Sequence, residues 1–228
     1  WLFVSLKKAY DPGPLSETKI VLIERGKGVS GIADVLQAEG VVASALGFKI
    51  LSRVETDQRP LKAGEYEFTQ NISMADAMKM MREGKIYDRK MTFPEGVTSW
   101  QIVETLKGLA DMTGDVAEVP VEGSLLPETY HYIKNDDRTV LLGKMKAAMN
   151  KTVADLWPAR VEGLPVKTEA EALVLASIVE KETGVAAERK KVAGVFINRL
   201  NKGMPLQSDP TVIYGITKGE IQNDGQGP

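Results

Sequence analysis

The sequence predicts an α+β protein, with a small N-terminal unit of two strands and two helices and a larger, mainly helical unit of mixed α/β character. Two observations favour this fold class. Short apolar runs at Lys19–Glu24 and Glu65–Phe68 enclose a region of helical periodicity, and the second half of the chain carries several long helical patterns. The change in pattern places a domain boundary near Arg89.

The predicted N-terminal unit, residues 17–89, follows a turn-rich linker. Two prolines and a glycine in Tyr10–Ser16 favour irregular structure there. A strand, two helices, a strand and a third helix are then predicted. In chain order they cover Lys19–Glu24, Val29–Glu39, Ala43–Val54, Glu65–Phe68 and Ile72–Glu83.

The predicted C-terminal unit, residues 90–228, opens with a strand and then becomes helical. Thr98 and Gln101, and likewise Thr168 and Glu171, have the spacing of capping boxes, and Ser208 is expected to cap a helix with Pro210 at its first position. The expected strand and helices cover Lys90–Phe93, Thr98–Leu106, Thr139–Leu156, Thr168–Thr183 and Glu188–Leu200, with a last helix after Ser208.

The amino-acid composition excludes several kinds of catalytic and metal-binding site. The 228 residues include no cysteine and a single histidine, His131, so thiol nucleophiles and thiolate metal sites are excluded and a Ser-His pair would have to use His131. The formal net charge of -2 gives no field to attract a polyanion, so nucleic acid is not expected as a partner. Catalysis would therefore rely on Asp, Glu, Lys, Tyr or Ser.

A glycine-rich turn offers one alternative function. Residues Gly26–Gly31 match the dinucleotide pattern G-x-G-x-x-G between a predicted strand and a predicted helix. The helix that follows is succeeded by another helix, whereas a dinucleotide-binding sheet needs alternating strands and helices. A plain helix-entry turn is the better interpretation, and no metal or cofactor is expected.

The stretch Ala176–Thr183, ASIVEKET, contains the main candidate for acid–base chemistry. At 100° per residue, Ile178, Val179 and Glu182 share one apolar stripe, while Glu180 lies nearly opposite. Burial and the negative end of the helix dipole would both raise the pKa of Glu182 towards that of a general acid. A buried Glu182 paired with Arg189 or Arg199 is the structural alternative.

Two polar loops are candidates for sugar binding. One follows Asn198 and contains Gln207, Ser208 and Thr211, and the other is Glu122–Tyr130. Clustered amide, hydroxyl and carboxylate groups suit hydrogen bonding to a sugar, but they suit a capped turn equally well.

Four stretches together resemble the endolytic murein transglycosylases, the YceG-like family. They are EGSLLPETY at Glu122–Tyr130, ASIVEKET at Ala176–Thr183, VAGVFINRL at Val192–Leu200 and GMPLQSDPTVIYG at Gly203–Gly215. The resemblance implies that Glu182 is the catalytic acid. It also implies that the protein cleaves the MurNAc–GlcNAc β-1,4 bond of peptidoglycan and leaves 1,6-anhydro-MurNAc ends, without a cofactor. Asn198, Gln207, Ser208 and Thr211 are then expected to hold the sugars.

The same resemblance implies an organisation for the whole chain. Residues 17–89 would be a LysM-like peptidoglycan-binding module and residues 90–228 a catalytic domain lacking later family segments. Residues 1–16 would be the remnant of a membrane anchor and its linker. The protein would then be single-pass in the inner membrane, face the periplasm, and work in wall elongation with penicillin-binding proteins. A non-catalytic peptidoglycan-binding scaffold is the alternative function.

Overall fold

The computed structural model describes residues 8–220, and the chain divides into two compact units between Arg89 and Lys90. Within the described residues there are eight α-helices and two small sheets, so the α+β prediction is confirmed. The anchor remnant expected at residues 1–7 and the chain end at 221–228 lie outside the described residues.

The N-terminal unit is built on an antiparallel pair of strands. β1 and β2 run with Lys19 opposite Phe68 and Ile23 opposite Gly64, and alternate side chains of β1, Val21 and Ile23, point into the core. Between and after the strands lie three helices. The bounds are β1 (Lys19–Ile23), α1 (Val29–Ala38), α2 (Ala45–Val54), β2 (Gly64–Phe68) and α3 (Met74–Glu83).

One apolar core holds these elements together. Each helix contributes side chains at helical spacing, because that spacing puts them on a single face. Ser44 and Ser73 cap α2 and α3 by accepting backbone N–H groups. The largest fully buried side chains of this unit include Ile23, Leu36, Phe48, Tyr66, Phe68 and Met78.

The turn-rich segment before β1 is packed against this unit. Ala9 and Leu15 are buried in the core, and the Gly13 amide donates to the Asn71 carbonyl at 3.1 Å. A Cβ atom added to Gly13 would lie 2.1 Å from the Ile72 carbonyl oxygen. Only glycine permits this close approach of two backbone segments.

Within its described residues, the C-terminal unit has a short sheet with one helix between its two strands, followed by four more helices. β3 pairs with β4, and the Phe93 amide donates to the Glu128 carbonyl at 3.1 Å. The bounds are β3 (Arg89–Thr92), α4 (Ser99–Lys107), β4 (Thr129–Tyr132), α5 (Arg138–Leu156), α6 (Glu169–Glu182), α7 (Arg189–Asn201) and α8 (Asp209–Thr217). A single 3-10 turn, Trp157–Ala159, follows α5.

This unit contains two separate apolar clusters. The larger one joins α4 and α5, with Ile102, Leu106 and Met145 almost completely buried. The smaller one joins α6 and α7 through Ile178, Val179 and Phe196. Across residues 8–220, no helix combines the length and apolar character needed to cross a membrane.

The close approach at Gly13 generates a stability prediction. Gly13→Ala should lower the free energy of unfolding of the N-terminal unit by about 1 to 3 kcal/mol, because the added Cβ meets a backbone oxygen that cannot move aside locally. Hydrogen exchange followed by mass spectrometry would measure this, as faster exchange in peptides from residues 8–89.

Gly31→Ala is the matched control, because Gly31 lies inside α1 and an added Cβ would have only ordinary contacts of 3.6 Å or more with the Lys27 side chain. We expect this variant to be as stable as the wild type or up to about 1 kcal/mol more stable. Equal exchange in the Gly13→Ala and Gly31→Ala variants would contradict the prediction.

Candidate active site

The helix that carries the candidate acid begins and ends at the residues its sequence predicts. Thr168 and Glu171 form a complete capping box, with the Glu171 amide donating to the Thr168 hydroxyl at 3.1 Å. α6 then runs to Glu182, and Thr183 forms its C-cap. The ASIVEKET motif is therefore the last part of a helix.

One face of α6 is fixed by apolar packing. Ile178 and Val179 are buried against Phe196 of α7, and Val192 and Leu206 pack around them. The predicted apolar stripe is present, and it orients the end of α6 relative to α7 and to the loop that precedes α8.

The stripe does not include Glu182, which is exposed. The expectation that Glu182 points into the core and is desolvated there is wrong. The apolar cluster ends at Ile178 and Val179, one turn before the end of α6. The helical spacing of the sequence therefore extends one turn beyond the part of α6 that is packed against α7. The Glu182 carboxylate instead accepts a hydrogen bond from the buried Ser208 hydroxyl, with 2.5 Å between Oγ and Oε1.

The nearby glutamate has a different partner. Arg189 forms an ion pair with Glu180 at 2.8 Å, and Arg199 donates to the Leu206 carbonyl. The structural alternative, a buried Glu182 paired with Arg189 or Arg199, is therefore wrong. The Glu180 carboxylate is occupied by a cation, whereas the Glu182 carboxylate contacts a neutral hydroxyl.

A glycine turn lies against the same end of α6. Gly96, in the turn after β3, has a positive φ of 79°, and a Cβ atom there would lie 3.4 Å from Cε of Lys181. The Lys181 side chain thus passes over the Pro94-Glu95-Gly96 turn. This places the turn beside the last residues of α6.

α8 connects this region to the start of α4. Ser208 at its beginning contacts Glu182, and near its end the Tyr214 hydroxyl donates to Glu122 Oε2 at 3.4 Å. Beyond the helix, the Thr98 hydroxyl donates to the Gly219 carbonyl at 2.9 Å. Three segments that are distant in the sequence therefore contact α8 or the residues next to its two ends.

Glu122 is an anchoring residue that the sequence indicated only as part of a polar loop. Both oxygens of its carboxylate accept from the Ser99 backbone amide, at 3.1 and 3.3 Å, in the first turn of α4. Desolvation, followed by the charge and hydrogen bond of Glu122, raises the pKa of the Tyr214 phenol. The phenol therefore stays protonated and can donate to this carboxylate.

The predicted sugar-binding residues fall in two places. Gln207 and Thr211 are exposed on either side of buried Ser208, and the Thr211 hydroxyl donates to the Ser208 carbonyl at 2.6 Å. Asn198 is exposed on α7. Of these four residues, Ser208 is the one that contacts Glu182, and Thr211 is bound to Ser208 in turn.

The described residues offer no cluster of three or more His, Asp or Glu side chains placed to hold a metal ion. The glycine-rich turn at Gly26–Gly31 leads directly into α1, which is followed by α2. An exposed carboxyl fixed by one neutral donor is the arrangement expected where proton transfer depends on a single carboxylic acid.

The fold and this arrangement describe a two-unit α+β protein with a candidate acid–base carboxyl at the end of a helix. Comparison with known families gives the particular group: the family model described as the YceG-like family matches residues 21–226. The chain belongs to the YceG-like family.

Two curated relatives carry the name endolytic murein transglycosylase. The protein of Streptococcus pneumoniae (strain ATCC BAA-255 / R6) is 30% identical over 238 residues, covering 86% of this chain and 43% of its own length. The protein of Bacillus subtilis is 29% identical over 228 residues, and the match covers 86% of this chain and 62% of the Bacillus protein. The chain thus spans less than two thirds of either relative.

A solved structure of a yceG-like protein from Listeria monocytogenes is 27% identical, and the match covers 91% of this chain and 78% of that one with a TM-score of 0.46.

The different partners of the two glutamates lead to a prediction about stability. Glu180→Gln should lower the free energy of unfolding of the C-terminal unit by up to about 1 kcal/mol, because it removes one charge of a partly exposed ion pair. Glu182→Gln should change it by less, because the amide oxygen can still accept from Ser208. Urea denaturation followed by circular dichroism measures both variants, and the reverse order of stability would contradict the assignment of partners.

Proposed function

We propose that this protein is a lytic transglycosylase that cleaves the MurNAc–GlcNAc β-1,4 bond of peptidoglycan glycan strands, with Glu182 as the single catalytic acid and base. The observation that carries the proposal is the difference between the two carboxylates of the EKET motif. Glu180 is paired with Arg189, whereas Glu182 is exposed and bound by a hydroxyl. The names of the Streptococcus and Bacillus relatives support the reaction class.

The proposed reaction needs one carboxyl in two protonation states. Protonated Glu182 gives its proton to the glycosidic oxygen as the bond to C1 breaks. The resulting carboxylate then takes the proton of the C6 hydroxyl of the same MurNAc, whose oxygen attacks C1 and closes the 1,6-anhydro ring. The proton is returned to Glu182, and no water is consumed.

Intramolecular attack removes the need for a second protein carboxylate. Ordinary glycosidases use two carboxyl groups, because one must activate water or attack the sugar itself. Here the nucleophile belongs to the substrate, and holding it near C1 supplies a high effective concentration.

Exposed polar side chains on α7 and at the start of α8 are the proposed sugar contacts. Gln207 and Thr211 lie on either side of Ser208 at the start of α8, and Asn198 is exposed on α7. Amide and hydroxyl groups of this kind can bind sugar hydroxyl and N-acetyl groups directly.

We propose further that residues 17–89 are a LysM-like module that binds peptidoglycan. The two paired strands that flank α1 and α2 support this assignment. The protein would be single-pass in the inner membrane, with both units on the periplasmic side. There it would act in wall elongation beside penicillin-binding proteins.

The catalytic proposal is tested by digestion of purified peptidoglycan with the full-length protein. The wild type should release anhydro-muropeptides, and Glu182→Gln should reduce the rate by at least about 1,000-fold, because the amide can neither donate nor accept the transferred proton. Chromatography with mass spectrometry would measure the anhydro products.

Glu180→Gln is the matched control, since it makes the same chemical change two residues away on the same helix. It should keep activity within a few-fold of the wild type. A fully active Glu182→Gln variant would move the catalytic role away from Glu182. A wild type that binds peptidoglycan but releases no anhydro products would favour the non-catalytic scaffold instead.

The module proposal makes a separate prediction. When soluble peptidoglycan oligosaccharides are added to the Glu182→Gln protein, hydrogen exchange should slow in peptides within residues 17–89 as well as around α6 and α8. Cellulose oligosaccharides, which lack N-acetyl groups, serve as the control and should give no protection. Protection confined to residues 90–220 would contradict a sugar-binding role for the N-terminal unit.

A further inference from the structure

Ser208 occupies a helix-capping position without capping the helix. It is the N-cap residue of α8, where a serine side chain normally accepts a backbone N–H from two or three residues ahead. Among the described residues, the N-cap side chains that accept such a bond are Ser44, Ser73, Thr98, Asp137 and Thr168. The Ser208 hydroxyl makes no such bond and donates to Glu182.

The location of the hydroxyl argues against direct contact with a sugar. Ser208 is only 3% exposed, whereas Glu182 is exposed. Its backbone carbonyl accepts from both the amide and the hydroxyl of Thr211, at 3.1 and 2.6 Å, which fixes the residue in the first turn of α8. The hydroxyl is therefore held in place behind the carboxyl rather than beside it in solvent.

A hydroxyl group has one proton to donate, and here it points to Oε1 of Glu182. Oε1 can accept this bond both when the group is a carboxylate and when it is the carbonyl oxygen of the acid. While the Ser208 hydroxyl donates to Oε1, the acid proton is more stable on Oε2. A single donor thus makes the two oxygens of the carboxyl unequal and leaves Oε2 for the transferred proton.

We propose that Ser208 is a positioning residue that orients Glu182 and confines the transferred proton to Oε2. This inference rests on the proposed function and replaces direct sugar binding as the role of Ser208.

The test compares three substitutions at Ser208 in the full-length protein. Ser208→Ala should lower kcat by about 10- to 100-fold, the effect expected for the loss of a hydrogen bond to a charged group, with KM changed less than about two-fold. Ser208→Thr keeps the hydroxyl and should recover most of the activity. Ser208→Cys keeps the size but donates only weakly, so it should behave like the alanine variant.

Ser177→Ala is the matched control, because that exposed serine on α6 donates only to the Val174 carbonyl of its own helix. It should leave kcat unchanged. If the Ser208→Ala protein does not fold, the cysteine variant carries the comparison. Wild-type kcat in a variant that lacks the hydroxyl, or an inactive threonine variant with wild-type thermal stability, would overturn the proposal.

A binding measurement separates positioning from sugar contact. Affinity for a peptidoglycan oligosaccharide should be the same for Glu182→Gln and for the double variant Glu182→Gln/Ser208→Ala. A ten-fold weaker double variant would make Ser208 a sugar ligand and overturn the inference. Full activity of Glu182→Gln alone would instead reject the proposed function, so the two failures are distinguishable.

Discussion

The end of the apolar packing one turn before the end of α6 is the constraint on which the candidate site depends. Ile178 and Val179 are buried against Phe196, which fixes the direction of the helix. Glu182 then extends from a rigid helix into solvent, where a long polymer can reach it. A carboxyl on a loop would be as accessible to a substrate but held less precisely. A carboxyl in the middle of the apolar stripe of α6 would be held precisely but buried.

The partners of the two motif glutamates determine what each can do. The ion pair between Glu180 and Arg189 joins the two helices, so Glu180 is suited to holding α6 against α7. A neutral hydroxyl donor fixes the geometry of a carboxyl without supplying a full positive charge. The contact with Ser208 therefore orients Glu182 without pairing it with a cation.

Local signals in the sequence predicted most of the helices, because capping residues and periodicity act within a few positions, as at Thr168 and Glu171. β4 was not predicted, since its four residues become a strand only by pairing with β3, far back in the chain. The contact between Ser208 and Glu182 spans 26 residues and could not be anticipated. The exposure of Glu182 was not predicted, because helical periodicity shows which residues share a face of α6 but not how far along that face α7 covers it.

Glu122 shows why a mechanism with two protein carboxylates fits this structure poorly. It also contacts α8, yet both of its oxygens accept from the Ser99 amide and one also accepts from Tyr214. A carboxylate engaged in this way stabilises the start of α4 and is a poor nucleophile, because attack on a sugar would cost these bonds. Glu180 is paired to Arg189 as well, so of these three glutamates Glu182 is the one that no cation or backbone amide of the described residues holds. The proposed substrate, which supplies its own C6 nucleophile, suits a site of this kind.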